Sequence, residues 1–175
     1  YVVRHTEDKE SELLHIINSI PGTVIVYCRS RKGCRDLAAQ LEERGLTATF
    51  YHAGLSNCEK DERQRLWQTD QCRVMVATNA FGMGIDKPDV RLVVHMDVPD
   101  SPEAYFQEAG RAGRDGRKAY AVLLYNASDK TKLMKRIPDT FPDREFIKEI
   151  YEHICYYYQM AMEIGRASCR ERVWK

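Results

Sequence analysis

An α/β fold, with a mainly parallel sheet and helices on both faces, is what this 175-residue sequence predicts. Apolar, β-branched runs alternate with amphipathic helical stretches, the pattern of repeated strand–helix units. The run TVIVYC is apolar without alternation, as in a strand buried on both faces. Polar or glycine-bearing turns directly follow the strands, where ligands of open α/β sheets gather.

The elements follow in order. Residues 1–4 read as an extended lead-in. Residues 7–20 read as an amphipathic helix with Leu13, Leu14, Ile16, Ile17 and Ile20 inward, stopped by Pro21-Gly22. Residues 23–28 form the first strand, and 31–44 a helix ended by Gly45. Residues 47–52 form a second strand. Ser56, with Glu59 three residues on, opens a helix as a capping box, running to about Trp67. Residues 73–77, 91–96 and 119–125 supply three more strands. Pro102, after Ser101, starts a short helix. Residues 128–136 read as a helix, broken by Pro138 and Pro142. Residues 143–162 read as a long helix whose Phe146, Ile150, Ile154 and Tyr157 make one stripe, suited to packing on a following domain. The tyrosines at 156–158 read as packing rather than base stacking.

Composition bounds the chemistry. The formal net charge is +1, so any nucleic-acid surface must be local. Six scattered cysteines without a C-x-x-C pair argue against a zinc site or disulfide framework and fit a reducing cytosol. We expect a cytoplasmic protein (bacterial cytosol or nucleoid). No apolar run reaches membrane-spanning length and no signal peptide opens the chain. The start at Tyr1, without methionine, reads as a fragment: one α/β domain and the start of a second.

Four places carry candidate chemistry. In SPEAYFQEAGRAGRDG, Arg111 and Arg114 each follow a glycine, with Gln107 one helical turn earlier. Planar, permanently charged guanidiniums on a tight turn can grip phosphate with two bonds; alone, the pair reads equally as a solvated basic loop. Ser30 and Arg31 stand where a phosphate could meet helix amides, or where serine is a plain cap. His52 and Gly54 end the second strand, and no nucleophile motif stands beside the histidine. In TNAFGMGIDK, Thr78 offers a hydroxyl, and Gly82 and Gly84 allow close backbone approach. Asp86 reads as a ribose partner or as a turn residue before Lys87-Pro88.

Taken together, VIVYCRSRKGC, FYHAGL, VMVATNAFGMGIDKPDVRLVVHMDVP and AYFQEAGRAGRDG resemble, in that order and spacing, the second RecA-like domain of superfamily 2 helicases of the RecQ type. RNA helicases of the DEAD-box kind usually carry histidine at the place of Gln107. The resemblance implies that Arg114 is the arginine finger acting on ATP held by a partner domain, with Arg111 and Gln107 as its companions. It implies that Asp86 and Gly84 serve the nucleotide side, although many relatives carry asparagine at the place of Asp86. Ser30, Arg31, His52, Gly54, Thr78 and Lys87 fall in motifs that line the single-stranded DNA track. ATP with Mg²⁺ would be held mainly by a first RecA-like domain, since no G-x-x-x-x-G-K-[ST] loop or DExH box is present. Relatives often continue into a cysteine-ligated zinc module; no zinc is expected here. The implied partners are single-stranded and duplex DNA and the first domain of the same polypeptide. By itself the chain is expected to be inactive.

The expected organisation is a second RecA-like domain at 1–136, a linker and helix at 137–162, and a foreign tail at 163–175. The stretch EIGRASCRERV back-translates to codons resembling a common sequencing-adapter read, so we set it aside as an assembly artefact. The alternative is a genuine basic tail that binds nucleic acid.

Overall fold

The computed structural model of the chain describes residues 1–82, 86–140 and 142–157. Gly84, Tyr158 and the tail at 163–175 therefore lie outside the described residues. Two compact units are present, Tyr1–Asp129 and Lys130–Lys175.

The first unit carries β1 (Val2–His5), α1 (Lys9–Ser19), β2 (Thr23–Tyr27), α2 (Arg31–Glu43), β3 (Ala48–Tyr51) and α3 (Asn57–Gln68). It continues with β4 (Val74–Ala77), β5 (Val90–His95), α4 (Pro102–Ala109) and β6 (Tyr120–Tyr125). The six strands form one sheet in the order β1-β6-β5-β2-β4-β3. Every pair is parallel, so all carboxyl ends share one edge of the sheet.

Side-chain alternation in the strands separates two cores. On one face Val24, Val26, Val74, Val76, Leu92 and Val94 pack with Leu13 and Ile17 of α1 and Leu37 and Leu41 of α2. On the other, Ile25, Tyr27, Met75 and Val93 pack with Trp67 of α3 and Phe81. Burying each such side chain stabilises the fold by about 1.5–3 kcal/mol. The fully buried Trp67 also donates its Nε1–H to Val24 O at 3.2 Å.

Helix starts are fixed by side chains that take up otherwise unpaired amides. Asp8 Oδ1 accepts from the amides of Glu10 and Ser11, Ser30 Oγ from Gly33 N, and Ser101 Oγ from Ala104 N. The expected capping box is complete: Ser56 Oγ accepts from Glu59 N, and Glu59 Oε2 accepts from Ser56 N.

Two expectations are corrected, for the lead-in and for the end of the helix after β6. The lead-in is β1, an edge strand paired with β6 in the register Val2↔Val122 to His5↔Tyr125. Its side chains are all exposed, so hydrophobic patterning carried no signal for it. α5 (Ala127–Thr140) runs through Pro138 instead of stopping at Arg136, because proline removes a single helical hydrogen bond and the neighbouring bonds carry the helix onward. In α6 (Arg144–Tyr157), the stripe of Phe146, Ile150, Ile154 and Tyr157 is exposed.

Candidate functional site at the arginine turn and the strand ends

The arginine turn is held against the second face of the sheet. α4 starts near the carboxyl end of β5 and descends along it. The chain after it is pinned by Gly113 N donating to Val90 O at 2.9 Å and Asp115 N to Pro88 O at 3.1 Å. Gly113 has φ +69°, and a Cβ there would stand 2.8 Å from Arg117 O, while a Cβ at Gly110 would stand 2.8 Å from Phe106 O, so both glycines of GRAG are required by this turn.

Arg111 crosses Gly82 at close range. A Cβ at Gly82 would stand 2.3 Å from Arg111 Nη2 and 2.9 Å from its Cζ, so only glycine admits the guanidinium. Its Nε is buried and has no hydrogen-bond partner, a donor held in place without an acceptor. Arg114 is half-exposed and pairs with Asp86, Nη1 to Oδ1 at 3.2 Å. Gln107 is exposed on α4, with no hydrogen-bond partner among the described residues. Gln107, Arg111 and Arg114 thus follow one another along α4 and its turn, with Arg111 against Gly82 and Arg114 against Asp86.

Three supporting residues escaped the sequence reading. Tyr27 and His95 are cross-strand partners on β2 and β5, and their rings stack at 5.3 Å with a 21° interplanar angle. His95 Nε2 lies 2.9 Å from Glu108 Oε2, tying β5 to α4. Tyr27 donates its hydroxyl to Phe81 O at 3.1 Å, fixing the loop before Gly82. Burial pushes the Tyr27 phenol upward against the opposing pull of Arg111, so it stays protonated. The available signal was polar-tipped aromatics ending two strands that otherwise carry apolar side chains.

A second group sits at the carboxyl ends of β2 and β3. Ser30 is the α2 cap, as the plain reading had it, yet its hydroxyl hydrogen remains free to donate. Arg31 passes over Gly54, where a Cβ would stand 2.9 Å from Arg31 Nη1. His52 is 4% exposed, and neither ring nitrogen has a hydrogen-bond partner. Burial first, and Arg31 second, hold its pKa below the ordinary histidine value, so it is neutral near pH 7. Thr78 is buried; its hydroxyl oxygen accepts from Ala80 N at 3.4 Å and shapes the turn after β4.

Lys87 is a correction. Expected on the DNA track, it is 8% exposed, and its Nζ meets Asp70 at 2.9 Å and Asp89 at 3.1 Å and donates to Gln68 O at 3.2 Å. Burial pulls its pKa down, but Asp70 and Asp89 outweigh that and the net shift is upward. An ammonium whose three donors are taken has none left for a phosphate. Lys87 is a tie between the α3 end and the β5 approach.

With this geometry in view, comparisons with known proteins are decisive. Residues 8–116 match the helicase conserved C-terminal domain. The chain belongs to that family. Among curated proteins it is 49% identical over 114 residues to the RecQ-like DNA helicase BLM of Xenopus laevis, covering 65% of this chain and 8% of the relative. It is 45% identical over 124 residues to the ATP-dependent helicase SGS1 of Saccharomyces cerevisiae, covering 70% and 9%. It is 50% identical over 111 residues to the ATP-dependent DNA helicase RecQ of Pasteurella multocida, covering 63% and 18%. These relatives bear out the resemblance to RecQ helicases, of whose length this chain spans under a fifth. The fold matches a crystal structure of the E. coli DEAD-box protein SrmB with a TM-score of 0.69 and 28% identity, over 81% of this chain and 85% of that one. A DEAD-box protein of Methanococcus jannaschii matches at 0.65 and 27%, over 79% and 38%. The expected α/β, RecA-like class is therefore the observed one. No described helix is long and apolar enough to cross a membrane.

Proposed function

We propose that this chain is the trailing motor domain of an ATP-dependent DNA helicase of RecQ type, moving 3′ to 5′ on single-stranded DNA and unwinding duplexes for recombination and repair. The observation that carries the proposal is the arginine turn: Arg111 is seated over Gly82 with an unpartnered Nε, and Arg114, whose Nε donates to Gly110 O at 3.4 Å, has the exposed Asp86 as its ion-pair partner. Guanidiniums presented in this way fit an anion that another domain brings. ATP and Mg²⁺ on a preceding RecA-like domain supply the phosphoryl group whose developing negative charge Arg114 stabilises. Arg111 and Gln107 orient beside it. Asp86 holds Arg114 in the open state and is freed toward the nucleotide when Arg114 leaves. Closure moves the strand-end group of Ser30, Arg31, His52 and Gly54, which grips the DNA backbone without reading sequence. Thr78, buried just after β4, supports this surface from inside.

The alternative is an RNA helicase of the same superfamily, since the structural neighbours are DEAD-box proteins. The two kinds share this fold, so fold similarity does not separate them, while Gln107 and identities of 49–50% to DNA helicases favour DNA. The test is ATPase activity of the chain joined to the first RecA-like domain of a RecQ protein. Turnover that appears only in the combination, stimulated by single-stranded DNA and not RNA, is expected. Stimulation by RNA selects the RNA reading. No turnover from a folded, DNA-binding combination selects a binding module that has lost the motor.

A further inference from the structure

We infer that Arg35 and Arg63, gathered around Phe50, form a phosphate seat that extends the single-stranded DNA track along the β3 edge of the sheet. The inference rests on the DNA-motor reading above. It concerns residues that the motif comparison does not reach.

The arginines of the first unit divide by partner. Arg4, Arg29, Arg65, Arg91 and Arg114 each pair with a carboxylate: Glu12, Asp100, Glu62, Asp115 and Asp86. Arg31, Arg35 and Arg63 have no ion-pair partner among the described residues, although they stand together. Arg63 Cζ lies 3.9 Å from the Phe50 ring centroid and Arg35 Cζ 5.6 Å from it, both within cation–π reach. Arg63 Nη1 also donates to Thr49 Oγ1 at 3.0 Å. His52 packs against the same ring, centroids 5.6 Å apart, and feels the positive charge of Arg31, Arg35 and Arg63. Glu59, whose Oε2 accepts from Ser56 N and Ser56 Oγ, also feels the charge of Arg63, so a single carboxylate faces the three guanidiniums.

Like charges repel, and one carboxylate does not balance three guanidiniums, so the cluster does not collect for the sake of stability. One aromatic ring draws two of them in, and the pairing anion is left to come from outside. Arg31 and His52 place this cluster at the carboxyl end of β3, continuous with the proposed track. α2 and α3 supply Arg35 and Arg63 just beyond it. Guanidiniums without an ion-pair partner suit the phosphodiester oxygens of single-stranded DNA, and Phe50 is covered by the arginines, so the contact carries charge rather than base stacking.

The test is the affinity of the chain for a fluorescent oligothymidylate of about twelve nucleotides, by anisotropy across about 50–200 mM NaCl. Each single-strand phosphate contact contributes about 0.7 to the slope of log K against log salt. Arg35→Gln with Arg63→Gln should lower the slope by about 1.4 and weaken binding about 25-fold at 0.1 M salt. Arg35→Lys with Arg63→Lys keeps the charge and should keep the slope; a drop there as large as in the glutamine pair points to lost structure and overturns the inference. So does a glutamine pair that binds like the parent, and in that case the DNA track itself stands. A parent chain that binds no oligothymidylate overturns the track and the seat together.

Discussion

Replacing Gly82 with alanine separates positioning from stability. The added Cβ would stand 2.3 Å from Arg111 Nη2 and 2.9 Å from Cζ. An ordinary contact needs about 3.5 Å, so the guanidinium must retreat by roughly 1 Å. The obstructed atoms are the far end of a flexible side chain, so the backbone need not move and the loss of fold stability should stay below about 1 kcal/mol. A catalytic group misplaced by about 1 Å costs on the order of 100-fold in rate. Gly82→Ala in the full-length helicase should therefore cut DNA-stimulated ATP turnover on the order of 100-fold, with the melting temperature and DNA affinity near those of the parent. The assay is steady-state ATPase with saturating single-stranded DNA, with thermal melts of both proteins alongside. Parental turnover from Gly82→Ala would refute the argument that Arg111 acts from its seat over this glycine. A large fall in melting temperature would refute the claim that only a flexible tip is displaced.

Other outcomes follow from the same geometry. Arg114→Ala should reduce turnover about a thousandfold or more while leaving ATP and DNA binding near normal; single-turnover ATPase and binding titrations check this, and unchanged turnover removes the finger assignment. Lys87→Ala should destabilise the domain by about 0.5–1.5 kcal/mol in urea unfolding with little change in the salt slope of DNA binding, because it removes the Nζ bonds to Gln68 O, Asp70 and Asp89. Asp70, held below its ordinary value of 3.8 chiefly by the Lys87 hydrogen bond, contributes stability that is present above about pH 3.8 and lost as pH falls through its lower folded pKa. Asp70→Asn should accordingly flatten the acid limb of a pH–stability curve, and an unaltered limb would count against the tie. Trp67→Ala should cost about 3–5 kcal/mol in the same unfolding assay, since a fully buried indole and its bond to Val24 O are lost.

Much of this protein is written locally in its sequence. The unalternating TVIVY of β2, the Ser56–Glu59 capping box and the Ser101-Pro102 start of α4 each depend on residues within a few positions of one another, so they were legible without a structure. The motifs at the strand ends were legible for the same reason, and parallel pairing then brings those ends to one edge. What the sequence could not give was partnership across distance. β1 exists because its backbone pairs with β6, which side-chain patterning does not report. Lys87 sits in a motif that suggests a DNA contact, yet Asp70, seventeen positions earlier, reaches it and closes its donors. Arg35, Phe50 and Arg63 come from α2, β3 and α3 and have no shared local pattern; only packing gathers them around one ring. Local hydrogen bonding and hydrophobic period set the elements, whereas the fate of each charge was decided by which acid or aromatic the tertiary fold placed beside it.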